Sequence, residues 1–272
     1  MGPKSATAAD YGNWIPQRVV GLFLGNAAAL GLGAWLLPWP PVQMVLGVSA
    51  GLSLALFLVM ALTYRQLGRD GGAIQRRFHA VLVEGLAWPG QGKVLDVGTG
   101  NGAVAILLAQ RFPAAQVTGV DPWGKPWAYS QATCEQNARL EGVESRVSFQ
   151  RAWAQALPFR DGEFDALVSS FVFHAVAVDY RSTLLHEALR TLKPGGAFVF
   201  QDLFHRQFYG DLTALLARLR ESGIEELCFV PMKDFFPIPL LLQNPQVAGG
   251  SQLLCGIKPF AREVGFGREV SP

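Results

Sequence analysis

The segment VLDVGTGNG, residues 94–102, passes from an apolar run into a loop with three glycines and then into a helical stretch. The apolar run is typical of a buried strand. Gly98, Gly100 and Gly102 allow the backbone to turn sharply and to approach a ligand closely. A GxGxG loop alone is weak evidence, and the dinucleotide fingerprint has the spacing GxGxxG. The segment therefore predicts a strand, a ligand-binding turn and a helix, and it does not name the ligand.

The chain downstream of this segment alternates β-rich runs with helical stretches. Predicted strands cover 93–97, 116–120, 146–152, 164–169, 196–204, 224–231 and 252–258, and predicted helices cover 102–111, 125–140, 180–192 and 211–222. Such alternation predicts the α/β class, with a doubly wound, mostly parallel, seven-stranded sheet. In sheets of this kind the ligand lies beyond the carboxyl ends of the strands, at the switch point beside the first strand.

Several motifs, in order over residues 93–204, resemble the class I S-adenosylmethionine-dependent methyltransferases, particularly the group with ubiquinone/menaquinone and sterol methyltransferases. The matching motifs are VLDVGTGNG at 94–102, ALPF at 156–159, DGEFD at 161–165 and LKPGG at 192–196. Asp121 closes the second predicted strand, 19 residues past Gly102. The resemblance implies a Rossmann-like methyltransferase fold, an enzyme, and S-adenosyl-L-methionine as its cofactor.

Two carboxylates receive roles through this resemblance. It implies that Asp121 binds the ribose hydroxyls of the cofactor, because one carboxylate can accept both hydrogen bonds of a diol. It implies that Asp96 orients the glycine loop or meets the methionine amino group through water. The structural alternatives are a strand-ending turn aspartate for Asp121 and an ordinary capping aspartate for Asp96.

The adenine position departs from the family pattern. The family usually has an acid five residues before Pro158, where this chain has Trp153, and an indole N–H cannot accept a hydrogen bond. Adenine recognition then depends on backbone groups around Ala154 and on stacking by Trp153 or Trp123. The predicted cofactor-binding residues are Asp96, Gly98, Thr99, Gly100, Asn101, Gly102, Asp121, Pro122, Trp123, Ala152, Trp153, Ala154 and Ser169.

Candidate catalytic residues follow the fourth and fifth predicted strands. Methyl transfer to a protonated nucleophile needs a base, and histidine has a suitable pKa near neutral pH. His174, Asp202 and His205 occupy those strand ends, although a single histidine is more often a structural residue. No cluster of side chains has metal-ligand spacing, so no catalytic metal is expected. The formal net charge of +2 gives no field that would indicate nucleic acid as a partner.

Residues 19–64 contain no Asp, Glu, Lys, Arg or His, and PWPP at 38–41 divides them once. The halves 19–37 and 42–64 are each long enough to cross a bilayer, which predicts a transmembrane helical hairpin. The alternative is the buried core of a soluble fold. Basic residues flank the hairpin at Lys4, Arg18, Arg65, Arg69, Arg76 and Arg77. The positive-inside rule then puts the N-terminus and the catalytic domain in the cytoplasm, which makes the chain a multi-pass membrane protein with two spanning helices.

These observations predict four segments: a tail (1–18), the hairpin (19–64), a juxtamembrane linker helix (65–92) and an S-adenosylmethionine-binding domain (93–272). The linker helix, over 73–86, has apolar helical spacing, and its arginines are expected near lipid phosphates. An ordinary packing helix with a solvated basic face is the alternative, and the two readings are compatible. The proline-rich stretch 234–242 is read as a lid, a lipid-facing surface or a packed loop. Cys134, Cys228 and Cys255 are expected to be reduced thiols.

The leading functional hypothesis is a membrane-anchored methyltransferase acting on a small lipophilic acceptor, with the bilayer as a second partner. Half of the residues are hydrophobic and only 16% are charged, a balance that favours contact with lipid. Two alternatives stay open. The enzyme is tethered to the membrane but methylates a soluble metabolite, a thiol or a protein, or the chain is a non-catalytic cofactor-binding scaffold.

Overall fold

The computed structural model describes residues 8–68, 72–124, 129–176, 181–243 and 248–260. The helices are α1 (Gln17–Leu36), α2 (Pro40–Leu67), α3 (Ala73–Glu84), α4 (Ala103–Arg111), α5 (Gln131–Leu140), α6 (Ser182–Thr191), α7 (Arg206–Tyr209) and α8 (Leu212–Glu221). The strands are β1 (Gln91–Val97), β2 (Ala114–Asp121), β3 (Val147–Arg151), β4 (Phe164–Ser170), β5 (Leu192–Asp202), β6 (Glu225–Pro231) and β7 (Gln252–Ile257).

These strands form one seven-stranded sheet with the order β3-β2-β1-β4-β5-β7-β6. The pairs among β1 to β5 are parallel, and β7 runs antiparallel to both of its neighbours, β5 and β6. The predicted doubly wound, mostly parallel seven-stranded sheet is therefore confirmed. The carboxyl ends of β1, β2, β4 and β5 meet at one edge, and β1 stands where the strand order reverses.

Helices cover both faces of the sheet because successive side chains of each strand point to opposite sides. Val94 of β1 packs with Phe78 of α3 and Ile106 of α4 in one buried cluster. Leu95, the next residue, packs with Leu184 of α6 in the other. Burial of both strand faces explains the continuous apolar runs that marked the strands in the sequence.

The N-terminal hairpin consists of α1 and α2, and α2 begins at Pro40, a position where the missing N–H of proline costs nothing. Both helices are long and apolar enough to cross a membrane by length and composition. Only 6% of the apolar 18-residue stretch in each of these helices is buried. Leu22, Trp35 and Leu52 are between 63% and 78% exposed. This exposure counts against the buried core of a soluble fold.

The predicted linker helix, α3, packs directly on the sheet. Phe78 and Leu82 are fully buried, whereas Arg76 and Arg77 are exposed on its outer side. The side-chain amide of Gln201 in β5 donates a hydrogen bond of 3.1 Å to the carbonyl oxygen of Phe78. The helix therefore packs on the sheet and has an exposed basic face, while the placement of its arginines near lipid phosphates stays a prediction.

Local details add to or differ from the sequence predictions in three places. The fifth strand is predicted to begin at residue 196, but LKPGG at 192–196 lies inside β5, with a bulge opposite β4. Short α7 was not predicted. The stretch 234–242, for which a lid, a lipid-facing surface and a packed loop stayed open, is divided. Phe236 contacts Phe78 with ring centroids 5.0 Å apart, as in a packed loop, while Leu240 is 81% exposed.

The expectation of three reduced cysteines is wrong for two of them. Cys228 and Cys255 form a disulfide, with their Cα atoms 5.0 Å apart. They are register partners on the antiparallel pair β6 and β7, which brings together residues 27 positions apart in the chain. Cys134 is free and buried. Other predicted features, namely Lys4, Arg69, the helix start at 125–128 and Tyr180, lie outside the described residues.

Candidate functional site

A cavity of about 580 Å³ lies at the carboxyl ends of β1, β2 and β4. Its size falls within the range of small-molecule and cofactor sites, roughly 300–1,000 Å³. The glycine loop after β1 and the turn after β2 form one side of the cavity. The segment before α1 and the helix α3 contribute the other side, through Trp14, Gln75 and His79.

The glycine loop leaves room for a ligand at the end of β1. Gly98 and Gly100 have φ angles of +77° and +58°, which residues other than glycine rarely adopt. A Cβ added at Gly98 would lie 2.1 Å from Cγ2 of Val172. The N–H groups of Gly98 and Thr99 both donate to the carbonyl oxygen of Val120, which fixes the loop against β2.

Asp96 lies beneath this loop and is 1% exposed. Its Oδ2 accepts a hydrogen bond of 2.7 Å from the hydroxyl of Thr99. Burial raises the pKa of Asp96 to about 7. A cationic ligand group in the cavity would favour the ionised carboxylate, so the charge of Asp96 and the charge of a ligand are coupled.

Asp121 ends β2 and is already bonded to its own chain. One oxygen accepts the N–H of Gly100 at 3.1 Å and the other accepts the N–H of Trp123 at 2.8 Å. Burial raises the pKa of Asp121, and these two N–H donors oppose that rise. A carboxylate has about four acceptor positions, so Asp121 keeps capacity for the two hydroxyls of a ribose. The geometry fits the role that the resemblance implies.

Two residues on the wall of the cavity have strained backbones. Trp123 and Phe171 have φ angles of +41° and +56°, and both line the cavity. Trp123 is held by a bond of 2.8 Å from its indole N–H to the carbonyl oxygen of Gly100. The N–H of Phe171 donates to the carbonyl oxygen of Gln201 at 2.7 Å. Backbone strain of this kind concentrates at functional sites.

The predicted adenine end of the site lies after β3, where Ala152, Trp153 and Ala154 line the cavity. Trp153 is 61% exposed, so its indole face is open for stacking. Within the described part of the cavity wall this end offers backbone groups and the amide of Gln155 in place of the expected acid.

His174 and Asp202 form a hydrogen-bonded pair beside the cavity. Asp202 is 1% exposed, and its oxygens accept from Nδ1 of His174, the N–H of His174, the N–H of Leu203 at 2.7 Å and the hydroxyl of Tyr209 at 2.9 Å. The pair holds the proton of His174 on Nδ1 and leaves Nε2 as an acceptor. His174 lines the cavity, so this nitrogen is available to a ligand. This is the arrangement of a base and its orienting carboxylate.

Four predicted site residues lie outside the cavity wall: Asp202, His205, Ser169 and Gly102. His205 caps α7, where its Nδ1 accepts the N–H of Gln207 at 3.3 Å. Ser169 is buried, and its hydroxyl donates to the carbonyl oxygen of Val97 at 2.9 Å. Gly102 is the N-cap of α4 in a left-handed conformation. Asp202 lies behind His174, and the other predicted residues line the cavity.

Sequence reasoning missed the contribution of the N-terminal strap, residues 8–16. Tyr11, Trp14 and Ile15 line the cavity. Contacts between residues so far apart in the chain leave no periodic signal in the sequence.

It also missed Gln75 and His79, which line the cavity from α3. Both are polar and nine-tenths or more buried. In the sequence, these two positions are marked only by their spacing of four residues, which places them on the same side of a helix. No group of three His, Cys, Asp or Glu side chains suited to a metal occurs among the described residues, and the expected lack of a catalytic metal stays a prediction.

Comparison with known proteins matches this chain to methyltransferases. Residues 94–196 match a family model described as a methyltransferase domain. The chain is 32% identical over 169 residues to a demethylmenaquinone methyltransferase of Thermus thermophilus, covering 58% of this chain and 73% of that protein. It is 35% identical over 127 residues to a ubiquinone/menaquinone biosynthesis C-methyltransferase of Desulfotalea psychrophila, covering 47% of this chain and 48% of that protein.

Among solved structures, the fold is similar to that of a geranyl diphosphate C-methyltransferase from Streptomyces coelicolor, solved with Mg²⁺, a substrate analogue and S-adenosyl-L-homocysteine. The TM-score is 0.55 and the identity 16%, over 72% of this chain and 80% of that one. This likeness supports the fold.

The glycine loop gives the first prediction. We expect Gly98→Ala to abolish S-adenosylmethionine binding, because the new Cβ would clash with Val172 and occupy the loop. Gly210→Ala is the matched control, since Gly210 has a similar φ of +70° but no atom within 4 Å of an added Cβ. Calorimetric titration of the cofactor should give wild-type affinity for Gly210→Ala. Equal binding by Gly98→Ala would contradict the assignment of the loop.

The buried carboxylate gives the second prediction. Because the pKa of Asp96 is raised to about 7, acid protonates it in the free protein and removes a charge that favours a cationic ligand. We expect S-adenosylmethionine to bind at least about tenfold more weakly at pH 5.5 than at pH 7.5. Asp96→Asn should remove this pH dependence, and the exposed Asp234→Asn should keep it. A flat wild-type profile would refute the coupling.

Proposed function

Because this chain belongs to the class I S-adenosylmethionine-dependent methyltransferases, we propose that it methylates a lipophilic aromatic acceptor of the quinol class at the surface of a membrane. S-adenosylmethionine supplies an electrophilic methyl group and leaves as a thioether. The observation that carries the proposal is that one cavity joins the cofactor loop, the His174–Asp202 pair and the base of the apolar hairpin.

Membrane anchoring is supported by the outward-facing apolar surface of α1 and α2. Large apolar side chains, mainly leucine, valine and tryptophan, are exposed along both helices. Proteins in water rarely expose a continuous apolar surface of this kind. The one interhelical hydrogen bond between side chains of the described hairpin joins the amide of Asn26 to the hydroxyl of Ser53 at 2.8 Å. This polar pair thus faces inward between the two helices, as expected for a helix pair in lipid.

The base of the hairpin adjoins the catalytic edge of the sheet. Asn13 in the strap donates from its amide to the carbonyl oxygen of Tyr64 at 2.8 Å, near the end of α2. Ile15 and Leu67, the apolar residues nearest that junction, line the cavity. A substrate dissolved in the bilayer would therefore meet an apolar wall of the cavity close to the membrane surface.

His174 is the proposed general base. Asp202 fixes its ring and its tautomer, so Nε2 can accept a hydroxyl proton from the acceptor. Loss of that proton raises the electron density of an aromatic ring and prepares its oxygen or ring carbon to attack the methyl group. His205 is not part of this proposal because its ring nitrogen caps α7.

Relatives that act on quinone precursors favour the quinol class over other lipophilic acceptors. The Thermus protein is a demethylmenaquinone methyltransferase, and the Desulfotalea protein is a ubiquinone/menaquinone biosynthesis C-methyltransferase. A soluble acceptor is the second candidate, and it is favoured only if the hairpin serves as a tether.

Assays of organic and aqueous extracts with methyl-labelled S-adenosylmethionine separate the two candidates. Label confined to aqueous products would exclude the lipophilic acceptor.

The catalytic pair gives the third prediction. We expect His174→Gln and Asp202→Asn to lower kcat for a reduced demethylnaphthoquinone by about 10²–10⁴-fold, the usual contribution of a general base. Cofactor affinity, measured by calorimetry, should stay within about twofold of wild type. His205→Gln is the matched control and should retain activity, since His205 lies outside the cavity. Full activity of His174→Gln would exclude His174 as the base.

Orientation in the membrane gives the fourth prediction. The basic flanks of the hairpin favour a cytoplasmic catalytic domain by the positive-inside rule. The Cys228–Cys255 disulfide favours the opposite side, because disulfides are more common in oxidising compartments. We expect Trp39→Cys, at the hairpin turn, to react with an impermeant maleimide on intact cells. Leu140→Cys, exposed on α5, should react only after lysis. Labelling of Leu140→Cys in intact cells would contradict this orientation and would indicate that the catalytic domain lies outside the cytoplasm.

A further inference from the structure

One polar side chain on the cavity wall stands apart from the others. His79 on α3 is 9% exposed and lines the cavity, yet no hydrogen bond to its ring nitrogens is found among the described residues. Its contact is with the indole of Trp14, ring centroids 6.0 Å apart. Burial lowers the pKa of His79 to about 4, so near pH 7 the ring is neutral, with one donor and one acceptor nitrogen.

The other buried polar side chains around the cavity are satisfied by the protein itself. Asp96 is bonded to Thr99, and Asn101 to the backbone of Asp10. Gln75 lies one helical turn before His79. With its amide turned so that the oxygen faces Trp14, it accepts from the indole and backbone N–H groups of Trp14 at 3.2 and 3.3 Å. No fully buried side-chain nitrogen or oxygen of the described residues lacks a hydrogen bond, so the ring nitrogens of His79 are open to the cavity. A ligand in the cavity can bond to them directly.

The rings beside His79 suit a flat ligand. Trp14 also contacts Phe171, with centroids 4.7 Å apart, and Phe171 in turn contacts His174 at 6.3 Å. The two aromatic side chains therefore lie between the two histidines, and all four line the same cavity. An aromatic ring packed on Trp14 and Phe171 could carry one oxygen toward each histidine.

We propose that His79 is the hydrogen-bonding partner of an oxygen on the aromatic acceptor, in a subsite formed with Trp14 and Phe171. The inference rests on the proposed function, because it names the acceptor of the same site. It restricts that acceptor to rings with a hydroxyl or carbonyl oxygen. It also separates the roles of the histidines: His174 removes a proton, and His79 recognises and orients.

The fifth prediction uses binding alone, with 1-naphthol and naphthalene as probes that differ by one hydroxyl. Calorimetric titrations would use the full-length protein in detergent with S-adenosylhomocysteine bound, corrected by detergent blanks. We expect wild type to bind 1-naphthol at least tenfold more tightly than naphthalene. His79→Phe keeps a ring against Trp14 but has no polar atom, and it should bind the two probes within about twofold of each other.

Three further measurements make the result specific. His79→Gln should recover part of the preference, and the exposed His186→Phe should keep all of it. S-adenosylhomocysteine affinity and Tm should not fall in His79→Phe, because the protein gives His79 no hydrogen bond to lose. A preference retained by His79→Phe, no preference in wild type, or an equal loss of both probes with a lower Tm would each overturn the proposal.

Methyl transfer is measured separately on the same samples. Wild-type transfer to a reduced demethylnaphthoquinone without discrimination between the probes would overturn the role of His79 and leave the proposed function in place. Discrimination without transfer would support the oxygen-binding subsite and count against the quinol acceptor.

Discussion

The carbonyl oxygen of Asp10 joins the parts of this protein that form the site. It accepts hydrogen bonds from the amide of Asn101 in the glycine loop, at 3.1 Å, and from the amide of Asn137 on α5, at 2.9 Å. Asn137 returns a bond by accepting the N–H of Asp10 at 2.9 Å. Both asparagines are buried, so loss of the strap would leave their amides without these partners, at a cost of about 1–3 kcal/mol for each unsatisfied group. The strap, and the wall of the cavity that it provides, depends on these bonds.

The same strap connects the cofactor edge of the sheet to the hairpin. Tyr129, which packs against Gly100, donates from its hydroxyl to the carbonyl oxygen of Asn13 at 3.2 Å, and the amide of Asn13 donates to the end of α2. Only a few residues separate these bonds from Gln17, where α1 begins. A shift of the hairpin relative to the sheet would therefore disturb the strap and the cavity together. The hairpin is part of the site as well as the proposed anchor.

The sequence was sufficient for features that depend on local pattern. The order of strands and helices, the glycine loop and Asp121 all lie where apolar runs and turn residues predict them. Features that depend on pairing across the chain were missed or wrong: the strap meets α5 through residues more than a hundred positions away, and Cys228 meets Cys255 only because β6 and β7 are neighbours. His174 and His205 looked equivalent because both follow strands. Their partners separate them, since Asp202 orients His174 whereas the ring of His205 caps a short helix.

The polar groups of the site are fixed before any ligand binds. Asp202 accepts four hydrogen bonds, Asp121 accepts two from the backbone, and Asp96 is held by Thr99. Such preorganisation lowers the cost of orienting charges during a reaction, because the protein has met that cost on folding. It also makes an exception informative. Where the surrounding polar groups are satisfied internally, a histidine that faces the cavity with no partner in the described chain indicates where a ligand would supply a hydrogen-bonding group.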